Sequence, residues 1–186
     1  RMGLTTVAMA VAASSAFQHA KDVRIRPGET ARVNGYDFKY LSPIGRVETR
    51  DGRIERITLG SRLAVSKDGK KIATLEPTKG YYPANAPFAP VSGMFDGEAT
   101  SEVRMVAGLR RDVWSAVSPE LAPLRPTMRL YDKVIRRMQS AGKPVRTQIL
   151  AFRVGLEKTV QAYTTGRPFA TFRLIVSPLV AWIWIG

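Results

Sequence analysis

The chain of 186 residues contains no cysteine. That excludes a disulfide scaffold, a thiolate zinc site, a thiol nucleophile and a CxxCH haem-attachment site. There is one histidine, His19, so no histidine cluster exists to hold a metal. Acids are scarce as well: 15 Asp and Glu stand against 29 Lys and Arg, for a net charge of +14. The sequence carries no GxGxxG, P-loop, HExxH or GxSxG pattern. No catalytic residue and no metal ligand is therefore assigned, and the segment by itself is not expected to be an enzyme. The two terminal apolar runs, "MGLTTVAMAVAASSAF" and "LIVSPLVAWIWIG", have 16 and 13 residues. Each falls short of the roughly 20 residues that cross a bilayer as a helix.

What is present is enough for one ordinary domain. The hydrophobic fraction of 45% rules out a disordered polypeptide. The positive charge is uneven. Between residues 121 and 173 eleven Lys and Arg face only Asp132 and Glu157, so +9 of the +14 lies in the last third. Such a block suits an anionic partner, and equally a solvated helix surface.

The apolar ends admit several readings. The first resembles either a signal peptide or the outer part of a membrane helix. The second carries Trp182 and Trp184, residues suited to a membrane interface, with Arg173 just ahead, able to snorkel to headgroups. A secreted protein has no need of this second run, although a buried terminal core helix has. Two short apolar segments around a polar domain read best as pieces of two membrane helices. Everything between them would then lie on one side of the membrane, and charge alone does not decide which, because the loop exceeds about 60 residues.

Between the ends the pattern is first β and then α. "TARVNGYDFKYL" alternates as a strand, with Val33, Tyr36, Phe38 and Tyr40 as its bulky members and a bulge or tight turn at Asn34-Gly35. Asp51-Gly52 and Asp68-Gly69 each lie between β-type runs, the strongest short-range hairpin signal. Ile54, Ile57, Leu59, Leu63, Val65, Ile72 and Leu75 are expected core positions. Residues 77–97, rich in Pro, Gly and Ala, read as a long irregular loop. Two further strands are expected over 98–108 and 110–118. Pro119, Pro123 and Pro126 then form a linker. Leu130, Val134, Ile135 and Met138 recur at helical spacing, as do Ile149, Phe152, Leu156 and Val160. The two helices form a basic hairpin, expected either to lie on a membrane or to cover the β domain with its apolar face.

His19 stands just past the first apolar run. An interfacial histidine can bind haem iron axially; the alternative is a solvated side chain at a helix end.

The ordered set "AKDVRIRPGETARVNGYDFKYL", "TLEPTKGYY", "EATSEV", "LRRDVWSAV" and "FRLIVSPLVAWIWIG" resembles the C-terminal part of CcmF/NrfE-type haem lyases. These are integral membrane proteins of cytochrome c maturation. The likeness covers roughly residues 2–118 and 172–186. Glu76-Pro77-Thr78-Lys79 keeps only part of the family's charged stretch there, Ser177 stands where the family often has lysine, and 121–171 looks like an insertion. The family's tryptophan-rich motif and paired histidines are not in this chain, so no haem ligand is carried over.

The resemblance implies a bacterial cytoplasmic membrane protein with the bulk of this segment on the periplasmic side. It implies apocytochrome c and a haem chaperone as partners, with membrane lipid around the ends and no nucleic acid. Haem would be handled by the parent protein rather than bound by this segment, which would serve as scaffold and docking surface. Lys79, Tyr81, Tyr82, Phe88, Arg111 and Asp112 are the candidate contacts, the aromatics as exposed anchors; for Tyr81 and Tyr82 the alternative is that they plug the end of the β domain. The expected fold is mainly β: a small antiparallel barrel or sandwich, OB-like, with an added helical hairpin and a partial membrane helix at each end. The expected boundaries are 1–19, 20–118, 119–171 and 172–186. The competing account is a secreted or membrane-tethered β module that binds an anionic ligand, a lipid surface or nucleic acid through its basic helices.

Overall fold

The fold is built on three tight turns. Asn34-Gly35, Asp51-Gly52 and Asp68-Gly69 all have positive φ at both residues, with φ of 47° and 80°, 51° and 74°, and 49° and 76°. That is the turn whose twist matches paired strands, and Asn or Asp followed by Gly is the pair that tolerates it. The computed structural model describes residues 19–82, 90–96, 99–107 and 111–177. The turns join β2 (Thr30–Val33) to β3 (Tyr36–Arg50), β3 to β4 (Arg53–Lys67), and β4 to β5 (Lys70–Leu75). β1 (His19–Ile25) precedes them. β6 (Thr78–Tyr81), the short helix α1 (Gly93–Asp96), β7 (Ala99–Glu102), β8 (Arg104–Val106) and β9 (Asp112–Pro119) follow. A 3-10 turn (Ala122–Leu124) then leads into α2 (Arg125–Ser140), α3 (Val145–Gly166) and β10 (Ala170–Ser177).

Two antiparallel sheets result. One has the order β1-β10-β9-β8; the other runs β2-β3-β4-β6-β7, with β5 also on β4. The chain is mainly β, with curled sheets and a helical part. Among the described residues no ladder closes the two sheets into a barrel.

The β3–β4 hairpin, fifteen residues per strand, runs through both halves of the molecule. Counted from its turn, a regular ladder would set Glu48 against Glu55. A shift places Glu48 opposite Arg56 instead, and a second shift between Tyr40 and Ser42 restores the register. Leu41 is the extra residue there. A bulge of this kind reverses which side chains face inward on the bulged strand. Tyr36, Phe38 and Tyr40 on one side of it, and Pro43, Gly45 and Val47 on the other, thus share one face.

That face serves two cores. Phe38, Tyr40, Leu63 and Val65 pack with Val113, Val117, Phe172, Leu174 and Val176 of the first sheet. Ile57 and Leu59 pack instead with Leu124, Met128, Ile135, Leu156, Val160 and Tyr163 of the helical part. Each such fully buried side chain contributes about 1.5–3 kcal/mol. The helices therefore cover the distal half of the hairpin. α3 approaches it at Gly45, where an added Cβ would meet Val160 Cγ1 at 2.9 Å.

Several expectations need correction. Phe172–Ser177 is a strand, not the opening of a helix, because Phe172, Leu174 and Val176 alternate into the first core while Thr171 and Arg173 face out. His19 is the first residue of β1, not a helix end. The stretch 98–108 divides into β7 and β8, which join different sheets. Pro119 ends β9, and Pro126 lies in the first turn of α2, so no linker separates strands from helices. Ile72, Leu130 and Ile149 are exposed rather than core. The apolar runs at 2–17 and 178–186, with Trp182 and Trp184, lie outside the described residues, as does Phe88. No helix among the described residues is long and apolar enough to cross a membrane.

Candidate functional site

The outward face of β3, β4, β6 and β7 carries an ordered array of charge. The register aligns Arg46 with Thr58, Gly80 and Thr100, and it sets Gly60, Thr78 and Glu102 in the next row. Arg56 lies at the centre. Its Nε donates to Glu48 Oε2 and its Nη1 to Glu102 Oε1, both at 2.7 Å. Thr58 Oγ1 donates to Glu48 Oε1 at 2.8 Å, and Thr78 Oγ1 to Glu102 Oε2 at 3.0 Å. Arg46 and Arg104 flank the array, 3.7 and 3.4 Å from Glu48 and Glu102.

These contacts hold the Glu48 carboxyl below the usual carboxylate range, chiefly through the Arg56 hydrogen bond. Glu102 is lowered too, first by Thr78 and then by Arg56. The Tyr82 hydroxyl is lowered by hydrogen bonds with Thr100 and Arg56. Arg56 is correspondingly held more firmly charged, first by Glu48 and then by Tyr82. Gly80 lets these side chains close in around the middle: a Cβ there would meet Thr100 Oγ1 at 3.2 Å and touch Arg56 Cδ and Tyr82 Cε2, each at 3.7 Å.

Such a network is worth little in stability per pair, because the flanking arginines are 51–63% exposed. It fixes position instead. Arg56 ties three strands and Tyr82 into one pre-organised polar platform, immediately before residues 83–89. Fixed donors and a tyrosine are the components from which recognition surfaces are assembled.

The expected contact residues are dispersed. Tyr82 sits on this platform. Tyr81 is 3% exposed, packed against Phe95 with ring centroids 5.2 Å apart, so it is core and not an exposed anchor. Lys79, half-buried, is on the opposite face, in register with Leu59 and Ser101. Asp112 is buried at the start of β9 opposite Ser177, and Arg111 is half-buried beside it. Arg173 is exposed on β10 between Asp22 and Ala116, about 13 Å along the strand from Ser177. Arg56, Glu48 and Glu102 were not legible as a set, since only the bulge in β4 brings the first two opposite each other.

His19 is exposed and pairs with Val176. Among the described residues there is no group of three or more His, Cys, Asp or Glu able to hold a metal. Nor does His19 line any of the described hollows, whose walls carry Arg50, Asp51 and Glu55, or Asp96, Arg125 and Arg129, or Asp22 and Arg173.

No family model matches the chain. It is 29% identical over 132 residues to "Cytochrome c-type biogenesis protein CcmF" of Haemophilus influenzae, covering 71% of this chain and 18% of that protein. It is 28% identical over 120 residues to the protein of the same name from Pseudomonas aeruginosa, covering 64% and 16%. The chain thus spans less than a fifth of the length of these curated relatives. A solved chain described as "Cytochrome c Heme Lyase CcmF" matches the fold with a TM-score of 0.52 at 15% identity, over 98% of this chain and 20% of its own length. That overlap takes in the helical pair, which the sequence resemblance treats as an insertion.

Proposed function

Since this chain is CcmF-like in sequence and in fold, we propose that it is the extracytoplasmic β domain of a membrane-bound cytochrome c maturation factor. In this reading it is a scaffold and docking surface, used while haem passes from a chaperone to apocytochrome c. The haem is cargo of the whole protein, and no residue here acts on it. The platform around Arg56 and Tyr82 is the contact face.

One observation carries the location. β1 begins and β10 ends side by side, with His19 opposite Val176. The described chain thus starts and ends at neighbouring points of the same sheet end. Two apolar segments so placed can enter one membrane together, with the whole β domain on one side. Ile25 opposite Ala170 marks the other end, which faces away from the lipid.

This chain has no cysteine, so Arg53→Cys at the tip of the long hairpin introduces its single thiol, in a parent gene whose other cysteines are replaced by serine. A membrane-impermeant thiol reagent is expected to label it in intact spheroplasts expressing the parent gene. Labelling only after permeabilisation would refute the location. In the same cells Tyr82→Ala is expected to lower covalent cytochrome c at an unchanged level of the parent protein. Unchanged cytochrome c would refute the docking role.

A further inference from the structure

The tip of the helical hairpin is a surface with no function in the reading above. α2, α3 and their connection carry nine Lys and Arg between residues 125 and 166, against Asp132 and Glu157. The Asp132 carboxylate is turned inward, accepting from Val91 N and Ser92 Oγ. Glu157 accepts from Arg153 Nε at 3.1 Å. The surface charge of the pair is therefore almost entirely positive.

The second half of α3 is anchored, with Leu156, Thr159, Val160 and Tyr163 buried. Its start is less covered: over residues 145–150 only Gln148 is buried, while Val145, Ile149 and Leu150 are 51%, 57% and 61% exposed. At 100° per residue these three fall on one arc of the helix together with Arg146 and Arg153. Lys143 and Arg146 have no ion-pair partner among the described residues. Three aliphatic side chains in a ring of cations, left uncovered on a helix, need a partner that is both apolar and acidic.

Position narrows the choice. α2 starts beyond Pro119 and α3 ends just before Ala170, which pair with each other at the sheet end opposite His19 and Val176. From that end the helices extend along the distal half of the β3–β4 hairpin, and α3 alone spans about 33 Å. The hairpin tip therefore points away from the end where the described chain starts and ends. A second copy of this chain is equally basic and would be repelled. We infer that the tip at Lys143–Leu150 docks an acidic, amphipathic segment of a partner protein, with Val145, Ile149 and Leu150 against its apolar stripe. The preference for protein over lipid rests on the proposal that both ends enter one membrane.

The test uses the whole chain with Ile149→Cys carrying an environment-sensitive fluorophore, and Ile72→Cys, likewise exposed, as the control site. The probe is a synthetic helical peptide with a leucine stripe flanked by glutamates; the comparison is a scramble of the same composition. The expected result is a blue shift at position 149 alone, saturating with the amphipathic peptide and weakened by salt. Lys143→Glu combined with Arg146→Glu should loosen it by roughly 5- to 30-fold. No shift, or equal binding of the scramble, overturns the inference. A shift at 149 on phosphatidylglycerol vesicles matching that on the peptide would mean that the tip is a lipid anchor. That outcome leaves the thiol-labelling test of the domain's location standing on its own.

Discussion

Gly60 is the position where a single methyl group should do most harm. It lies on β4 opposite Thr78 of β6. A Cβ built there would fall 2.5 Å from Pro77 O, 2.7 Å from Thr78 Cγ2 and 3.1 Å from Thr78 Cα. Two of those atoms are backbone and cannot rotate away. To admit the methyl, β6 must move outward, which breaks Ser61 N to Pro77 O at 3.1 Å and loosens Tyr163 Oη to Gly60 O at 3.1 Å. Overpacking of this kind costs about 1–3 kcal/mol, and a lost buried hydrogen bond adds about 1. Gly60→Ala is thus expected to destabilise by about 2–4 kcal/mol, lowering the melting temperature by roughly 5–15 °C for a chain of this size. Gly80→Ala is the control on the neighbouring strand. Its Cβ would meet only Thr100 Oγ1 closely, at 3.2 Å, a side-chain atom that can give by a few tenths of an ångström at some strain on its hydrogen bond with Tyr82. Its cost should stay below about 1 kcal/mol, partly offset by the better strand propensity of Ala. Urea unfolding of both variants, followed by circular dichroism, reads the difference. Equal midpoints for the two would show that β6 does not press on Gly60 as described.

Other expectations follow from the same contacts. Asp132→Ala leaves the Val91 N–H unpaired beneath α2 and should cost about 2–4 kcal/mol, whereas Asp132→Asn, which keeps an acceptor, should cost less; urea midpoints distinguish them. Glu48 and Glu102 have folded pKa values below their unfolded ones, so their stabilisation is present above about pH 4.3 and is lost as pH falls through the lowered values. An acid-unfolding midpoint that Glu48→Gln with Glu102→Gln leaves unchanged would contradict this; the effect should be small, since both groups are largely solvated. Tyr81 is pushed up to about 12 by burial, and Tyr163 is raised as well. Their neutral forms stabilise the fold fully below about pH 10, and that contribution disappears as pH rises toward the folded values. Near-ultraviolet absorbance should therefore show these phenols ionising only together with unfolding, and their free titration in the folded chain would count against the packing described.

Local events are legible in the residues alone. Asn34-Gly35, Asp51-Gly52 and Asp68-Gly69 form tight turns because positive φ at two successive residues is a property of those residue pairs, whatever surrounds them. Gly142, with φ of 62°, closes α2 for the same reason. The apolar spacing of Met128–Ile135 and Leu156–Tyr163 likewise suffices to make helices with a buried side. The likeness to CcmF proteins was also legible, since it rests on short motifs in order.

Which face each residue presents depends on the long-range pairing of the strands and helices. Tyr81 and Tyr82 are indistinguishable as letters, yet the pairing of Tyr81 with Ile57 sends one ring into the core and leaves the other on the Arg56 platform. Glu48 meets Arg56 rather than Glu55 because one residue bulges, and a bulge reflects the whole ladder rather than its own sequence. Phe172–Ser177 reads as the start of a longer apolar run, but β1 and β9 supply two open edges and its alternate side chains fill the first core. Ile149 carries the spacing of the core residues Leu156 and Val160 and yet lies outside, because nothing packs on the start of α3 as it does on its second half. Periodicity determines that a side is apolar; the length and placement of the neighbouring element determine whether it is buried.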